Sequence, residues 1–138
     1  MFNNTSKFLV LASAQRANLH NDLNMRRHVD AQFSLIAQGF KHECVLGHYK
    51  ELGQHNGNHE LSFAIPCKTA KQIKALAKLF CDCFQQDCIL VWNKDSDNVW
   101  LVDKTGCAFT SLGKMHMAHD EPDVECWTYN GGFYYYAE

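Results

Sequence analysis

Apolar and polar positions along the chain fall into two periods, and the periods name the elements. Phe8–Ala12 is a continuous apolar run of strand length, which reads as a buried strand. Met25, Val29, Phe33, Ile36 and Phe40 then recur at helical spacing, one face of an amphipathic helix, with Gly39 suited to its C-terminal cap. The stretch ECVLGHYKE predicts a strand. HELSFAIPC alternates Leu61, Phe63 and Ile65 against Ser62 and Ala64, the pattern of a half-buried strand with Pro66 near its end. The glycine- and asparagine-rich GQHNGN between them predicts a hairpin turn.

Thr69 opens a second helix, with Gln72 three positions on as in a capping box, and Ile73, Leu76, Ala77, Phe80 and Phe84 form its buried stripe. DCILVW and VWLVD, separated by NKDSDN, predict two further strands. ECWTYNGGFYYY reads as a closing hairpin with Asn130 and Gly131 in its turn. The order β-α-β-β-α-β with one strand appended predicts an α+β, ferredoxin-like fold, an antiparallel sheet with both helices on one face. One face of such a sheet needs a cover, supplied either by the C-terminal tail or by another subunit.

Length and composition narrow the function classes. A chain of 138 residues and 15.8 kDa with 46% hydrophobic residues predicts one globular domain, residues 1–138. A net charge of −2 leaves no basic surplus for phosphates, which argues against nucleic acid as the main partner. No apolar run reaches the length of a membrane span, and the N-terminus shows no signal peptide, so the expected compartment is the cytoplasm. Seven cysteines without an export signal are expected to stay reduced. Cys81 and Cys83, two apart on a helix, point to different faces and lack a second zinc-ligand pair. His42, His48, His55 and His59 show no helical i, i+4 pairing and straddle a turn, so their spacing gives no metal site.

Three segments together carry a resemblance. They are Ser13, Ala14, Arg16, Asn18 and Leu19 after the first strand, with Asn24, Met25, Arg27 and His28 on the helix; Tyr49, Lys50 and Glu51 with Glu60, Cys67 and Lys68 on the hairpin; and Gln86, Asp87, Cys88, Leu90 and Val91. In this order and spacing, from about Phe8 to Val102, the chain resembles the phage-encoded S-adenosylmethionine lyases, long called SAM hydrolases or SAMases. One departure is His59-Glu60, where paired acids are expected. The resemblance implies a PII-like ferredoxin fold assembled as a homotrimer with active sites between subunits. It also implies cleavage of S-adenosylmethionine to 5′-methylthioadenosine and homoserine lactone, or homoserine after hydrolysis, with no metal or cofactor. The implied role is to strip infected bacteria of the methyl donor that restriction and modification systems use.

The same resemblance implies Glu60 and Tyr49 as catalytic residues. Glu60 is expected on the substrate ammonium or a ribose hydroxyl, because a carboxylate against the sulfonium would stabilise the ground state more than the transition state. Ser13, Ala14, Gln15 and Arg16, at the end of the first strand, are expected to bind substrate, largely through backbone groups. Arg16 is either a carboxylate clamp or a structural cation. Gln86 either reads the adenine edge or merely ends the second helix. Arg27 and His28 are expected on the helix surface or in a subunit contact. The alternative function is a non-catalytic, PII-like adenine-nucleotide sensor, which would want a richer phosphate-binding surface than this sequence offers.

Overall fold

The computed structural model describes residues 6–49 and 58–138. Its elements are β1 (Phe8–Ala12), α1 (Asn21–Ala37), β2 (Glu43–Tyr49), β3 (Asn58–Cys67), α2 (Ala70–Lys78), β4 (Ile89–Asn93), β5 (Asn98–Val102), β6 (Ala108–Ala118), β7 (Cys126–Asn130) and β8 (Phe133–Ala137). The strands close into a barrel in the order β1-β3-β2-β7-β8-β6-β5-β4, with β4 pairing back onto β1 and every pair antiparallel.

This overturns the expected ferredoxin-like, PII-like open sheet, and the structural basis of the sensor alternative goes with it. A sheet of β1 to β4 alone would leave β2 and β4 as edges with unpaired backbone groups. The C-terminal segment supplies the missing partners: β7 adds to β2, β5 adds to β4, and β6 and β8 join them. The tail therefore extends the sheet instead of covering its free face.

Closure gives the sheet an inside and an outside, each with its own core. Leu9, Leu11, Val45, Ala64 and Tyr135 point inward, with Leu90, Trp92, Met115 and Phe133 packed on them. Val10, Ala12, Phe63, Ile65, Cys67, Ile89 and Val91 point outward and lie under the helices with Leu35, Leu76 and Phe80. With both faces covered, β3 is buried at Ser62, Phe63, Ala64 and Ile65 alike, not half-buried as its alternation suggested.

The helices differ. α2 carries the capping box expected of it: the Gln72 amide N–H donates to Thr69 Oγ1, and Gln72 Oε1 accepts from the Thr69 N–H. Its stripe of Ile73, Leu76, Ala77, Phe80 and Phe84 is buried. α1 instead buries His28, Ala31 and Leu35, and of the stripe predicted to face the core only Phe40, beyond the helix end, packs on it while the rest points outward. Met25, Val29, Phe33 and Ile36 are 41–67% exposed. His28 is thus a core residue, stacked on Phe63 at a centroid distance of 4.4 Å, and not a surface or contact residue.

The closing hairpin is present with its turn one residue later than expected. Asn130 pairs with Phe133 as the last rung, and Gly131 and Gly132 both have positive φ, as a two-residue I′ turn requires. The expected GQHNGN turn lies outside the described residues except for Asn58 at the start of β3, and Lys50, Glu51 and His55 lie outside as well.

Candidate active site

β2 and β3 bring the hairpin residues to one end of the barrel. Gly47 pairs with Glu60 and Tyr49 with Asn58. Side chains alternate across a strand, so Val45, Gly47 and Tyr49 share a face with Ala64, Ser62 and Glu60. Val45 and Ala64 belong to the interior core. Glu60 and Tyr49 therefore stand at the barrel mouth on its inner face.

Two cavities meet there. The outer one, about 580 Å³, is walled by Tyr49 and Glu60 on one side and by Gln15–Asn18 and Gln85–Asp87 on the other. The inner one, about 310 Å³, runs down into the barrel past Ser13, Gly47 and Ser62 to Leu11, Leu90 and Leu101. Tyr49, Glu60 and Gln86 line both. Of the seven cysteines, Cys88 and Cys126 line the inner cavity, and none of the seven is in a disulfide.

The wall opposite Glu60 is held by hydrogen bonds that consume most of its polar groups. Ser13 Oγ donates to the Leu61 carbonyl at 2.7 Å and accepts from the Gln15 N–H at 3.1 Å. Gln15, 9% exposed, accepts from the Leu61 N–H at 2.8 Å through Oε1, and its Nε2 donates to the Asn24 carbonyl at 3.4 Å. The Asn24 side chain grips the Arg16 peptide at both ends, accepting from its N–H at 2.9 Å and donating to its carbonyl at 2.8 Å. Arg27 ties the two loops of this wall together: Nε donates to the Ala14 carbonyl, Nη1 to Gln85 Oε1, and Nη2 to the Phe84 carbonyl. Arg16 Nη1 donates to the Gln85 carbonyl.

Gln85 and Gln86 reach the wall because of how the second helix stops. α2 runs into a π-helical turn, Leu79–Cys83, a deviation found often at functional sites. Gln85 then takes φ of 53°, and the Gln86 N–H returns to the Phe80 carbonyl at 3.1 Å, a bond one residue longer than the six-to-one bond of a Schellman stop, after a turn that is itself π-helical. A non-glycine residue in this left-handed conformation is strained, and strain of this kind clusters where geometry is functional. The stop places Gln86 so that its Nε2 donates to the Gln15 carbonyl at 3.0 Å.

Glu60 is the electrostatic exception. Its carboxyl makes no hydrogen bond or ion pair among the described residues, and burial pushes its pKa up to about 7. Arg27, across the site, has its pKa lowered by burial and by the adjacent Arg16 guanidinium. The cavity thus has a cationic side and a carboxyl that ionises readily only when a cation is beside it.

Of the seven residues expected to act on or bind substrate, the structure gathers five around the outer cavity: Tyr49, Glu60, Gln15, Arg16 and Gln86. Ser13 lines the inner cavity instead, and Ala14, fully buried, lines neither. Ala17, Asn18, Gln85 and Asp87 also line the outer cavity; Asn18 and Asp87 were among the residues that carry the resemblance, whereas Ala17 and Gln85 carried no signal in periodicity or spacing. His48 stacks on Trp127 at 4.7 Å with His59 beside it at 5.1 Å, an aromatic cluster and not a ligand set. Among the described residues, no group of three or more His, Cys, Asp or Glu side chains is gathered to hold a metal ion.

An antiparallel barrel whose mouth joins a polar chamber to an apolar one, with a half-buried carboxyl at the junction, has the shape and lining that suit a small ligand with one charged end and one largely apolar end. The S-adenosylmethionine lyase family matches residues 10–138. The S-adenosylmethionine lyase of Enterobacteria phage T3 is 32% identical over 104 residues, spanning 72% of this chain and 68% of that one. The chain belongs to the S-adenosylmethionine lyase family.

Proposed function

We propose that the protein cleaves S-adenosylmethionine to 5′-methylthioadenosine and L-homoserine lactone, with homoserine forming when water opens the ring. One oxygen of the substrate carboxylate attacks the γ-carbon and forms the new C–O bond. The C–S bond breaks, and its electron pair leaves with sulfur as a neutral thioether. The substrate supplies both nucleophile and leaving group, so the reaction asks the protein for no base, metal or cofactor. It asks for a folded methionine arm in near-attack geometry and for a site drier than bulk water, since carboxylate and sulfonium lose their charges together.

The observation that carries this reading is the Glu60 carboxyl, half-buried and poorly solvated at the junction of two chambers in a chain of this family. With its pKa near 7, Glu60 ionises as the substrate ammonium arrives and holds the arm by a charge-assisted bond. Tyr49 lines the same junction. Arg16 and Arg27 supply a positive field at the outer wall that draws the carboxylate end in, while their hydrogen bonds to the loop carbonyls keep them from gripping it directly. Gln86 has an amide carbonyl that accepts from no group among the described residues and is open to an adenine edge. Ser13, Ala14 and Gln15 act by building the wall.

The assembly we propose is a homotrimer with the open outer chamber closed by a neighbouring subunit. The exposed Met25-Val29-Phe33-Ile36 stripe on α1 supports it, because an apolar face of that kind is normally covered. Light scattering should then give about three times 15.8 kDa. The biological role proposed is phage counter-defence by depletion of S-adenosylmethionine in the host cytoplasm, in line with the phage origin of the T3 relative. The deciding experiment is incubation of purified protein with S-adenosylmethionine, with and without EDTA, and chromatography of the products. Unchanged conversion in EDTA is expected. No conversion refutes the lyase reading, and loss on chelation restored by zinc refutes metal independence.

A further inference from the structure

We infer that the interior of the barrel is the purine chamber of the site, and that Gly47 sets the width of the throat through which the base enters. The inference rests on the substrate proposed above and fixes its orientation. The inner cavity's floor is made of three leucines at one level. Leu11 pairs with Leu90 and Leu90 with Leu101, so β1, β4 and β5 present a continuous apolar surface. Ser62 and Thr128 add hydroxyls to its walls. Glu60, at the throat, is its one charged side chain among the described residues.

That lining decides which end of the substrate goes in. The methionine end carries an ammonium and a carboxylate, and deep in this chamber both would lose their water with nothing to replace it. The adenine end is uncharged, planar and rich in hydrogen-bond edges, so it gains from apolar walls with scattered hydroxyls. The outer chamber has the complementary character, with Arg16 and the loop amides around it. A substrate lying across both chambers puts its ribose and sulfonium at the wall they share, beside Tyr49 and Glu60.

The throat is narrow where Gly47 faces Glu60 and Ser62. A Cβ at position 47 would come within 2.9 Å of Ser62 Oγ and 3.5 Å of Glu60 Cγ. The φ of Gly47 is not left-handed, so what requires glycine there is space and not backbone conformation. Any side chain at 47 points into the passage and closes it by the width of its own atoms.

The chamber carries its own reporters, Cys88 and Cys126, while Cys83 and Cys107 lie outside it. The wild-type protein is alkylated with iodoacetamide in the presence of 5′-methylthioadenosine or of methionine, and each cysteine is followed by mass spectrometry. We expect 5′-methylthioadenosine to slow labelling of Cys88 and Cys126 severalfold and to leave Cys83 and Cys107 unchanged, with no such protection by methionine. Absence of protection at saturating 5′-methylthioadenosine, absence of its binding, or equal protection by methionine overturns the purine chamber. In parallel, Gly47→Val should raise KM for S-adenosylmethionine tenfold or more with a smaller change in kcat, and an unchanged KM in a folded variant counts against the throat. The two readings fail separately. Protection without any turnover sinks the lyase proposal and keeps the chamber; turnover without protection does the reverse.

Discussion

The two walls of the outer chamber are built on opposite plans. In the wall of strand ends and loops, the side chains of Ser13, Gln15, Asn24, Arg27 and Gln86 are spent on backbone groups, those of Ala14, Gln15 and Arg16 within the wall and of Leu61 on β3, and so hold the chain in place. In the hairpin wall, Glu60 is half-buried without a partner among the described residues, in a form that destabilises its own ionised state. A wall whose groups are mutually satisfied keeps its shape whether or not a ligand is bound. A buried group left unsatisfied gains most when a ligand satisfies it. On the proposed function, the first wall is scaffold and the second carries the chemistry.

The strongest way to break this contrast is Glu60→Gln. Losing a charge-assisted contact of about 1.5–3 kcal/mol should cut turnover tenfold or more. The same change should stabilise the fold at neutral pH, because an amide needs no ionisation inside the barrel mouth. Kinetics and thermal melts on one sample check both, and a variant that is less active because it is less stable would contradict the assignment.

Titration sharpens the point. The folded-state pKa of Glu60, about 7, lies above its ordinary 4.5, so the folded protein holds that proton more tightly than the unfolded chain. Its contribution to stability is present below 4.5 and is lost as pH rises through 7. Activity runs the other way: kcat/KM should climb as pH rises through about 7, and Glu60→Gln should flatten that limb. A wild-type profile flat from pH 6 to 8 would show that the ionised carboxylate is not the working form.

The scaffold wall should answer in stability first. Arg27→Ala strands the Ala14 carbonyl and leaves the Phe84 carbonyl only its long bond from Gln86 Nε2, at a cost of about 1–3 kcal/mol, with activity falling because both loops shift. Lysine at 27 cannot reproduce the forked contact and should rescue little. The smallest effect is expected from Ser13→Ala, about 1 kcal/mol in a denaturant melt for the lost bond to Leu61, with kcat/KM within a fewfold of wild type. A large loss of turnover in a stable Ser13→Ala protein would move Ser13 from scaffold to substrate contact.

What could be read in the sequence follows the range of the interactions involved. The capping box at Thr69 and Gln72 and the stripe from Ile73 to Phe84 are local and periodic, and α2 forms as they indicate. The stripe of α1 was equally regular, but periodicity shows only that a face is apolar, not what covers it. The small Ala31 and the flat His28 ring, which let the helix lie against Phe63, carry little hydropathy signal. The barrel was hidden for a different reason. β6 has a largely exposed, mixed surface with no clean alternation, and it pairs with β5 across register shifts. Its Gly113, at φ 92°, has no room for a side chain against the Glu138 backbone, a contact that only the closed sheet creates. Without β6 the C-terminal strands read as a cap, not as the rest of a ring. In the site, Tyr49 and Glu60 were named through resemblance, whereas the use of Ser13, Ala14 and Gln15 as internal bonds depends on long-range partners that no local pattern announces.

The central claim is that the substrate's own carboxylate displaces the thioether, and the most direct measurement is turnover of S-adenosylmethionine in H₂¹⁸O. The account predicts 5′-methylthioadenosine with unlabelled homoserine lactone at early times, and homoserine that later carries ¹⁸O in its carboxyl group and not in its γ-hydroxyl. Label in the γ-hydroxyl from the first turnover would mean that water attacks the γ-carbon directly, and would contradict the mechanism.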